Sequence, residues 1–170
     1  MKRKKGFTLI ELLIVIGIIS ILAAIIFVAV DPARRLGEAR NAERWSSVNA
    51  ILNGILKYTV DNSGILPATA TAIDSDAATF QIIGEGGVAC AAVDACVVSG
   101  LTLATSNCFA SGLDTDLVDE YLPSIPFDSL TGDTNDTRYY VNRSAAGRIT
   151  VGACDEETTG GSTPTVSVSR

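Results

Sequence analysis

Glu11 is the only ionisable residue between Phe7 and Val30, in a stretch made almost entirely of aliphatic residues. A carboxylate in such surroundings is costly to desolvate, so it is a functional candidate that needs a partner. No lysine or arginine inside the stretch can supply that partner. The sequence therefore predicts either that Glu11 reaches the membrane interface or that it pairs with a cation from another chain.

The stretch that contains Glu11 has the length and composition of a membrane-spanning helix. Residues 7–30 would form about 36 Å of helix, enough to cross a hydrocarbon core of about 30 Å with some tilt. Each leucine, isoleucine, valine or phenylalanine favours insertion by roughly 0.3–0.6 kcal/mol, and together they outweigh one acid near the end. Insertion into a bilayer is the expected result.

Cations flank the stretch on both sides. Those at positions 2–5 predict a cytoplasmic N-terminus, although four arginines between positions 34 and 44 weaken the asymmetry. A cleavable secretory signal is the alternative, because Leu22-Ala23-Ala24 offers small residues for cleavage. Such signals use a shorter apolar core, which favours the membrane-spanning interpretation.

Lys4-Lys5-Gly6 followed by Phe7-Thr8-Leu9-Ile10-Glu11-Leu12 closely resembles the prepilin cleavage and assembly motif of type IV pilins and type II secretion pseudopilins. The resemblance is close over residues 1 to about 30 and looser to about 67. It implies that a membrane peptidase cuts after Gly6 and methylates the new N-terminal residue, Phe7. It also implies that Glu11 pairs with the terminal amine of a neighbouring subunit.

The resemblance further implies partners and a location. The expected partners are identical subunits in a helical filament, prepilin peptidase, the inner-membrane pilus assembly machinery, and the lipid bilayer before assembly. The chain would be a single-pass membrane protein with a cytoplasmic N-terminus, and later part of an extracellular filament. The first functional hypothesis is a structural pilus subunit for adhesion, motility or DNA uptake. A pseudopilin or minor pilin is the second, and a monomeric membrane-anchored binding domain the third.

The pattern of the whole chain predicts an α+β, pilin-like fold in which a long N-terminal helix packs on a small antiparallel β-sheet. The predicted segments are a cleaved leader (1–6), a transmembrane and assembly half of the helix (7–30), an amphipathic half (31–61), an αβ-loop and β-sheet globular domain (62–157) and a flexible tail (158–170). Asp31-Pro32 predicts either a fresh capped helix or a bend in a continuous one. The preferred prediction is one long helix from about Phe7 to about Val60, ~80 Å long, with a bend near Asp31-Pro32.

Local patterns predict which residues face the core and where strands lie. An apolar face at steps of three or four is expected to be buried; it comprises Leu36, Ala39, Ala42, Trp45, Val48, Leu52 and Ile55. Short strands are expected at 80–83, 88–98 and 101–104, a brief helix at 113–122, and a β-hairpin from 138–143 and 148–153.

The four cysteines, Cys90, Cys96, Cys108 and Cys154, all follow the predicted membrane segment. They predict two disulfides in an oxidising compartment, and sequence alone allows three pairings. The shortest loop would join Cys90 to Cys96, which leaves Cys108 for Cys154, similar to the C-terminal disulfide loop of many pilins. Zinc is the weaker alternative, because the chain has no C-x-x-C pair and no histidine.

Asp128, Asp133, Asn135 and Asp136 lie on a turn-rich stretch and offer the oxygen ligands that calcium requires. The spacing is not that of an EF-hand, and no glutamate closes the loop. Pseudopilins similar to this chain bind calcium in a loop of comparable placement, but a solvated polar turn is the simpler interpretation. We expect no cofactor, with calcium at these residues as the alternative.

Composition argues against several other functions. The formal net charge of −6 disfavours a nucleic-acid-binding face, and the absence of histidine removes the commonest general base. No nucleophile–base pair, phosphate-binding glycine loop or convergent pair of carboxylates can be assembled from local spacing. The sequence therefore predicts no enzyme and no specific nucleic-acid partner.

Overall fold

The computed structural model describes residues 6–67, 76–85, 96–105 and 108–170. Within these residues the elements are α1 (Leu9–Val30), α2 (Pro32–Asp61), β1 (Thr79–Ile83), β2 (Thr102–Leu103), β3 (Phe109–Ala110), α3 (Leu113–Leu117), β4 (Tyr139–Arg143), β5 (Ile149–Ala153) and β6 (Ser167–Ser169). A long helical N-terminal region precedes a small sheet onto which α2 packs. The α+β, pilin-like fold class is confirmed.

The helical region is interrupted at Asp31, so it is not one continuous bent helix. Asp31 has left-handed backbone angles, with φ 45° and ψ 76°, and its carboxylate accepts a hydrogen bond of 3.4 Å from the Arg34 amide. The following residue, Pro32, disfavours α-helical angles at position 31 and lacks an amide hydrogen itself. The long helical region expected from about 7 to 60 is present, but at the expected bend it is interrupted, and the capped fresh helix is observed in place of the preferred continuous one.

The buried face of α2 differs from the predicted apolar face. Val48, Leu52 and Ile55 are buried as expected, but Leu36 and Trp45 keep 56% and 39% of their surface exposed. Ala39 and Ala42 are exposed as well. The buried line instead runs through Gly37, Asn41, Arg44, Val48, Ile51 and Ile55. The prediction failed at the N-terminal half because it selected residues by polarity, whereas this half is covered by polar loops that supply partners.

The sheet is mixed, which corrects the expectation of an antiparallel sheet. Its order is β2-β1-β4-β5-β6, with β3 also paired to β1. β4, β5 and β6 pair antiparallel, but β2 and β3 both run parallel to β1, through Thr79–Phe80 and Ile82–Ile83 respectively. The sequence pattern cannot reveal whether such short strands pair parallel or antiparallel, because side chains alternate between the two faces of the sheet in either arrangement.

Most predicted strands are present where the structure describes the chain. β1 matches the expected strand at 80–83, β2 lies within 101–104, and β4 and β5 form the predicted hairpin. The helix expected at 113–122 is α3, which is shorter. The strand expected at 88–98 falls mostly outside the described residues, and its described part, 96–98, is not a strand.

The C-terminal segment is not a flexible tail throughout, which corrects the assignment of 158–170. β6 pairs with β5 in the register Val151↔Val168, and Val166 is fully buried. The serines and threonines that suggested a loose tail alternate with Val166 and Val168, and this alternation suits an edge strand with one buried face.

Alternating side chains of the sheet form two apolar clusters. Ile83, Val141 and Val151 pack with Val48 and Ile51 of α2 in the main core. The smaller cluster contains Phe80, Ile82, Tyr140, Cys96 and Cys108. The rings of Phe80 and Tyr140 meet edge to face with centroids 5.5 Å apart. Sheet residues are therefore buried on both faces.

One disulfide bond joins Cys96 to Cys154, whose Cα atoms are 4.9 Å apart. The expected pairing of Cys90 with Cys96 and of Cys108 with Cys154 is therefore wrong. Cys108 is also disulfide-bonded, and none of the described cysteines is free; Cys90 lies outside the described residues. The shortest-loop rule failed because Cys154 directly follows β5 and lies against the segment that leads into β2.

A disulfide map of the oxidised chain should show a fragment containing Cys96 linked to one containing Cys154. Digestion with Asp-N and chymotrypsin separates all four cysteines, because these enzymes cut at Asp94 and at leucines and aromatics between the others. With 58 residues of separation, this bridge contributes about 4 kcal/mol on the chain-entropy model. A Cys108–Cys154 fragment, or alkylation of native protein without reductant, would contradict this assignment.

Candidate functional site

No residue of α1 is buried by the rest of the described chain. Its large apolar side chains from Leu9 to Val30 keep 48% to 81% of their surface exposed. Among the described residues it is the one helix long and apolar enough to cross a membrane. Exposed apolar surface of this extent has to be covered by lipid or by protein.

Glu11 lies in the first turn of α1, where Thr8 caps the helix. The Glu11 carboxylate accepts hydrogen bonds from the Thr8 amide at 2.8 Å and from the Thr8 hydroxyl at 2.7 Å. The Glu11 amide donates to the Thr8 hydroxyl oxygen at 3.3 Å, which completes a capping box. The carboxylate is thereby held at the helix N-terminus, where the helix dipole favours a negative charge.

Thr8 is a site residue that the sequence prediction missed. The signal was present, because threonine three residues before glutamate at the start of an apolar run is a capping-box pattern. Its two hydrogen bonds give the carboxylate partners within its own chain. Glu11 can therefore be stable at the start of the helix before any charged partner arrives.

Gly6 and Phe7 precede the helix in non-helical backbone and are both exposed, Phe7 to 89%. The structure thus brings the predicted cleavage junction and Glu11 to the same end of α1. In the intact chain the Phe7 nitrogen belongs to a peptide bond. Cleavage after Gly6 would convert it to a cationic amine within one helical turn of the carboxylate.

A second cluster of charged side chains lies around Arg44 of α2. Arg44 is 2% exposed, and its Nε lies 2.5 Å from Oδ2 of Asp128, which is 3% exposed. Nη1 donates to Oδ1 of Asn41 at 2.9 Å and lies 3.5 Å from Oε1 of Glu157. The sequence prediction missed this residue, although the steps 44, 48, 51 and 55 place it on the buried face.

Asp128 and Asp133, two of the predicted calcium ligands, accept hydrogen bonds from backbone amides of their own loop. Oδ1 of Asp128 accepts from the Leu130 and Thr131 amides at 3.0 and 3.1 Å. Oδ1 of Asp133 accepts from the amides of Asn135 and Asp136 at 2.7 and 2.9 Å. The described residues contain no group of three or more acidic, histidine or cysteine side chains arranged to hold a metal ion. Calcium binding here stays a prediction of the sequence alone.

Asp155 links this loop to β4 and β5. The Arg138 guanidinium donates two hydrogen bonds to the Asp155 carboxylate, from Nε to Oδ2 at 2.6 Å and from Nη2 to Oδ1 at 2.7 Å. The Thr131 hydroxyl donates a third hydrogen bond to Oδ2 of Asp155 at 2.6 Å. The hydrogen bonds from Arg138 lower the pKa of Asp155 although partial burial opposes this. Burial also opposes ionisation of Asp128, but the bonds from Arg44 and from the loop amides outweigh it and lower its pKa.

Acid should destabilise the folded domain through these two aspartates. Their lowered pKa values mean that the folded chain binds these protons less readily than the unfolded chain does. The stability that they confer is complete above the ordinary aspartate pKa of about 3.9 and is lost as the pH falls below it. Urea unfolding of the detergent-solubilised chain should show a flatter acid dependence for Asp155→Asn than for wild type. Equal slopes below pH 4 would contradict this prediction.

Comparison with protein-family models matches the prokaryotic N-terminal methylation motif to residues 1–27. That motif is the signature of type IV pilins and pseudopilins. The chain carries the type IV pilin and pseudopilin signature. No curated protein and no solved structure matches the chain.

The matched motif contains Gly6, Phe7, Thr8 and Glu11, which the structure places at the start of α1. The proteins that share this pilin signature are structural and generally non-enzymatic, and the motif implies processing by prepilin peptidase. The exposed apolar helix is consistent with a membrane-anchored precursor of this kind. The candidate site of this chain is therefore the whole α1 helix with its cap.

Proposed function

We propose that the chain is a structural subunit of a type IV pilus, which polymerises through its N-terminal helix into a surface filament for adhesion, motility or DNA uptake. The observation that carries the proposal is α1, which is apolar along its length, uncovered by its own chain, and marked by one carboxylate in its first turn. Lipid covers this helix in the precursor, and the α1 helices of identical subunits cover it in the filament.

Glu11 supplies the register of the assembly. A helix that leaves lipid for a bundle of similar helices exchanges one apolar environment for another, so this transfer alone fixes no axial offset. The cationic amine of a neighbour's Phe7 can pair with the Glu11 carboxylate at one offset only. Since each desolvated ion is costly when unpaired, subunits added at another offset are disfavoured.

A pilus subunit of this kind has defined partners and a defined location in the cell. Prepilin peptidase acts on the Gly6–Phe7 junction in the membrane, and the inner-membrane assembly machinery extracts the mature subunit. The precursor spans the membrane once with its N-terminus in the cytoplasm, and the globular domain with its disulfides lies outside. The chain has a structural role without enzymatic activity.

The mature subunit should begin at Phe7 and carry an N-methyl group. Intact-mass analysis of the assembled form should show the loss of residues 1–6 together with the mass of one added methyl group. The physical reason is that the junction lies in exposed, non-helical backbone next to a capped helix. A mature N-terminus after Ala24 would indicate a secretory signal peptide instead.

Electron microscopy of sheared surface filaments, with mass spectrometry of their main subunit, tests the proposed role. Filaments composed mainly of this chain support the structural pilin. A pseudopilin or minor pilin is the alternative, and it would appear as a trace component or only within an envelope-spanning secretion complex. A chain that stays monomeric in the membrane while other subunits form filaments would contradict assembly altogether.

A further inference from the structure

The two ends of the sheet differ in charge. β4 ends at Arg143, Arg148 directly precedes β5, and Arg170 follows β6, so three arginines lie at one end of these paired strands. The backbone of Arg170 exchanges hydrogen bonds of 2.9 and 3.0 Å with Ile149. Within the described part of the chain, none of the three arginines forms an ion pair.

Residues 144–148 form the turn between β4 and β5, which we call the hairpin tip. The Ser144 amide donates to the Arg148 carbonyl at 2.9 Å, and the Arg148 amide donates to the Ser144 hydroxyl at 3.0 Å. Gly147 has a φ of 83°, which closes the turn. Ala145, Ala146 and Arg148 are exposed. The tip therefore presents one cation next to small side chains on a well-defined backbone.

At the opposite end of the sheet lies a cleft of about 370 Å³ between α3 and the ends of β1 and of the 134–137 segment. Its acidic residues are Glu85, Asp114 and Asp119, and Leu113 and Ile125 are among its apolar lining residues. Among the described residues, none of these three carboxylates pairs with a lysine or arginine of its own chain. We call it the acidic cleft.

We propose that the hairpin tip of one copy docks into the acidic cleft of a second copy, with Arg148 among Glu85, Asp114 and Asp119. The apolar lining suits the methylene stem of arginine, and the carboxylates suit its guanidinium group. The two surfaces lie at opposite ends of one sheet, so the contact is head-to-tail and can repeat along a row of subunits. The proposal rests on the proposed filament, to which it adds a contact between globular domains.

Charge reversal at the hairpin tip tests this contact in the full-length chain, expressed in a host that supplies prepilin peptidase and the pilus assembly machinery. Arg148→Glu should reduce the yield of sheared filaments by at least about tenfold, because like charges would meet at every such contact. Glu85→Lys combined with Asp114→Lys should reduce the yield similarly. Because one chain supplies both surfaces, all three changes together restore opposite charges, and the yield should return to within about twofold of wild type.

Lys57→Glu is the matched control, since Lys57 is exposed on α2, outside both surfaces, and the change in net charge is the same. This variant should assemble normally. Equal losses in Arg148→Glu and Lys57→Glu would mean that only net charge matters and would overturn the proposal. A loss with the cleft variant but not with Arg148→Glu would also overturn the proposal, because the cleft would then bind a cation other than Arg148. Wild-type chain that forms no filaments would instead contradict the proposed function itself.

Discussion

Glu11→Ala should abolish filament formation or reduce it at least about a hundredfold while the globular domain stays folded. Removing the carboxylate leaves the amine of a neighbour's Phe7 buried without its partner, which typically costs about 3–5 kcal/mol at each interface. Because the same interface recurs at every subunit, this cost stops elongation. The measurement is the number of sheared filaments per cell, with membrane insertion and disulfide formation confirmed in parallel.

Three further variants separate the charge of Glu11 from its capping role. Glu11→Gln keeps the capping-box pattern but removes the charge, so it should fail like Glu11→Ala. Thr8→Ala removes the cap and keeps the charge; it should cost about 1 kcal/mol of helix stability and leave most filaments intact. A Gly6 variant that resists cleavage should fail because the amine is never formed. Normal filament yield from Glu11→Gln would contradict the charge-pair mechanism.

Arg44→Ala should destabilise the globular domain by about 3–5 kcal/mol, because it leaves the buried Asp128 carboxylate without its cation. Both side chains are almost fully buried, and their N–O distance is 2.5 Å. The pair holds the N-terminal half of α2 against the loop that leads into β4. Urea unfolding of the detergent-solubilised chain, followed by near-ultraviolet circular dichroism of the buried tyrosines, measures the change.

Arg35→Ala is the matched control, because the Arg35–Glu38 pair lies on the exposed side of the same helix. An exposed pair of this kind contributes about 0–1 kcal/mol, so this variant should stay close to wild type. Replacing both Arg44 and Asp128 by apolar residues of similar size should cost less than Arg44→Ala alone. Similar stabilities of Arg44→Ala and Arg35→Ala would show that the buried pair is not a stabilising contact.

Features that depend only on residues close together in the chain could be predicted before the fold was known. The apolar run of α1, the cap at Asp31 and the β4–β5 hairpin with its turn follow from local propensities and short-range hydrogen bonds. The Thr8 cap has an equally local signal, although the prediction missed it. The functional motif around Gly6, Phe7 and Glu11 is also local, since a peptidase reads a contiguous segment. For this reason the membrane helix and the candidate assembly site could be predicted before any tertiary contact was known.

Contacts between segments that are distant in the chain could not be predicted and became known from the folded structure. Cys96 pairs with Cys154 because the two segments meet beside β5, whatever the length of the intervening loop. β2 runs parallel to β1, a direction that the alternation of side chains along each strand does not reveal. Arg44 can be buried because Asp128, 84 residues away, arrives to neutralise it. In each case the deciding partner is brought by the fold, so local pattern carries no information about it.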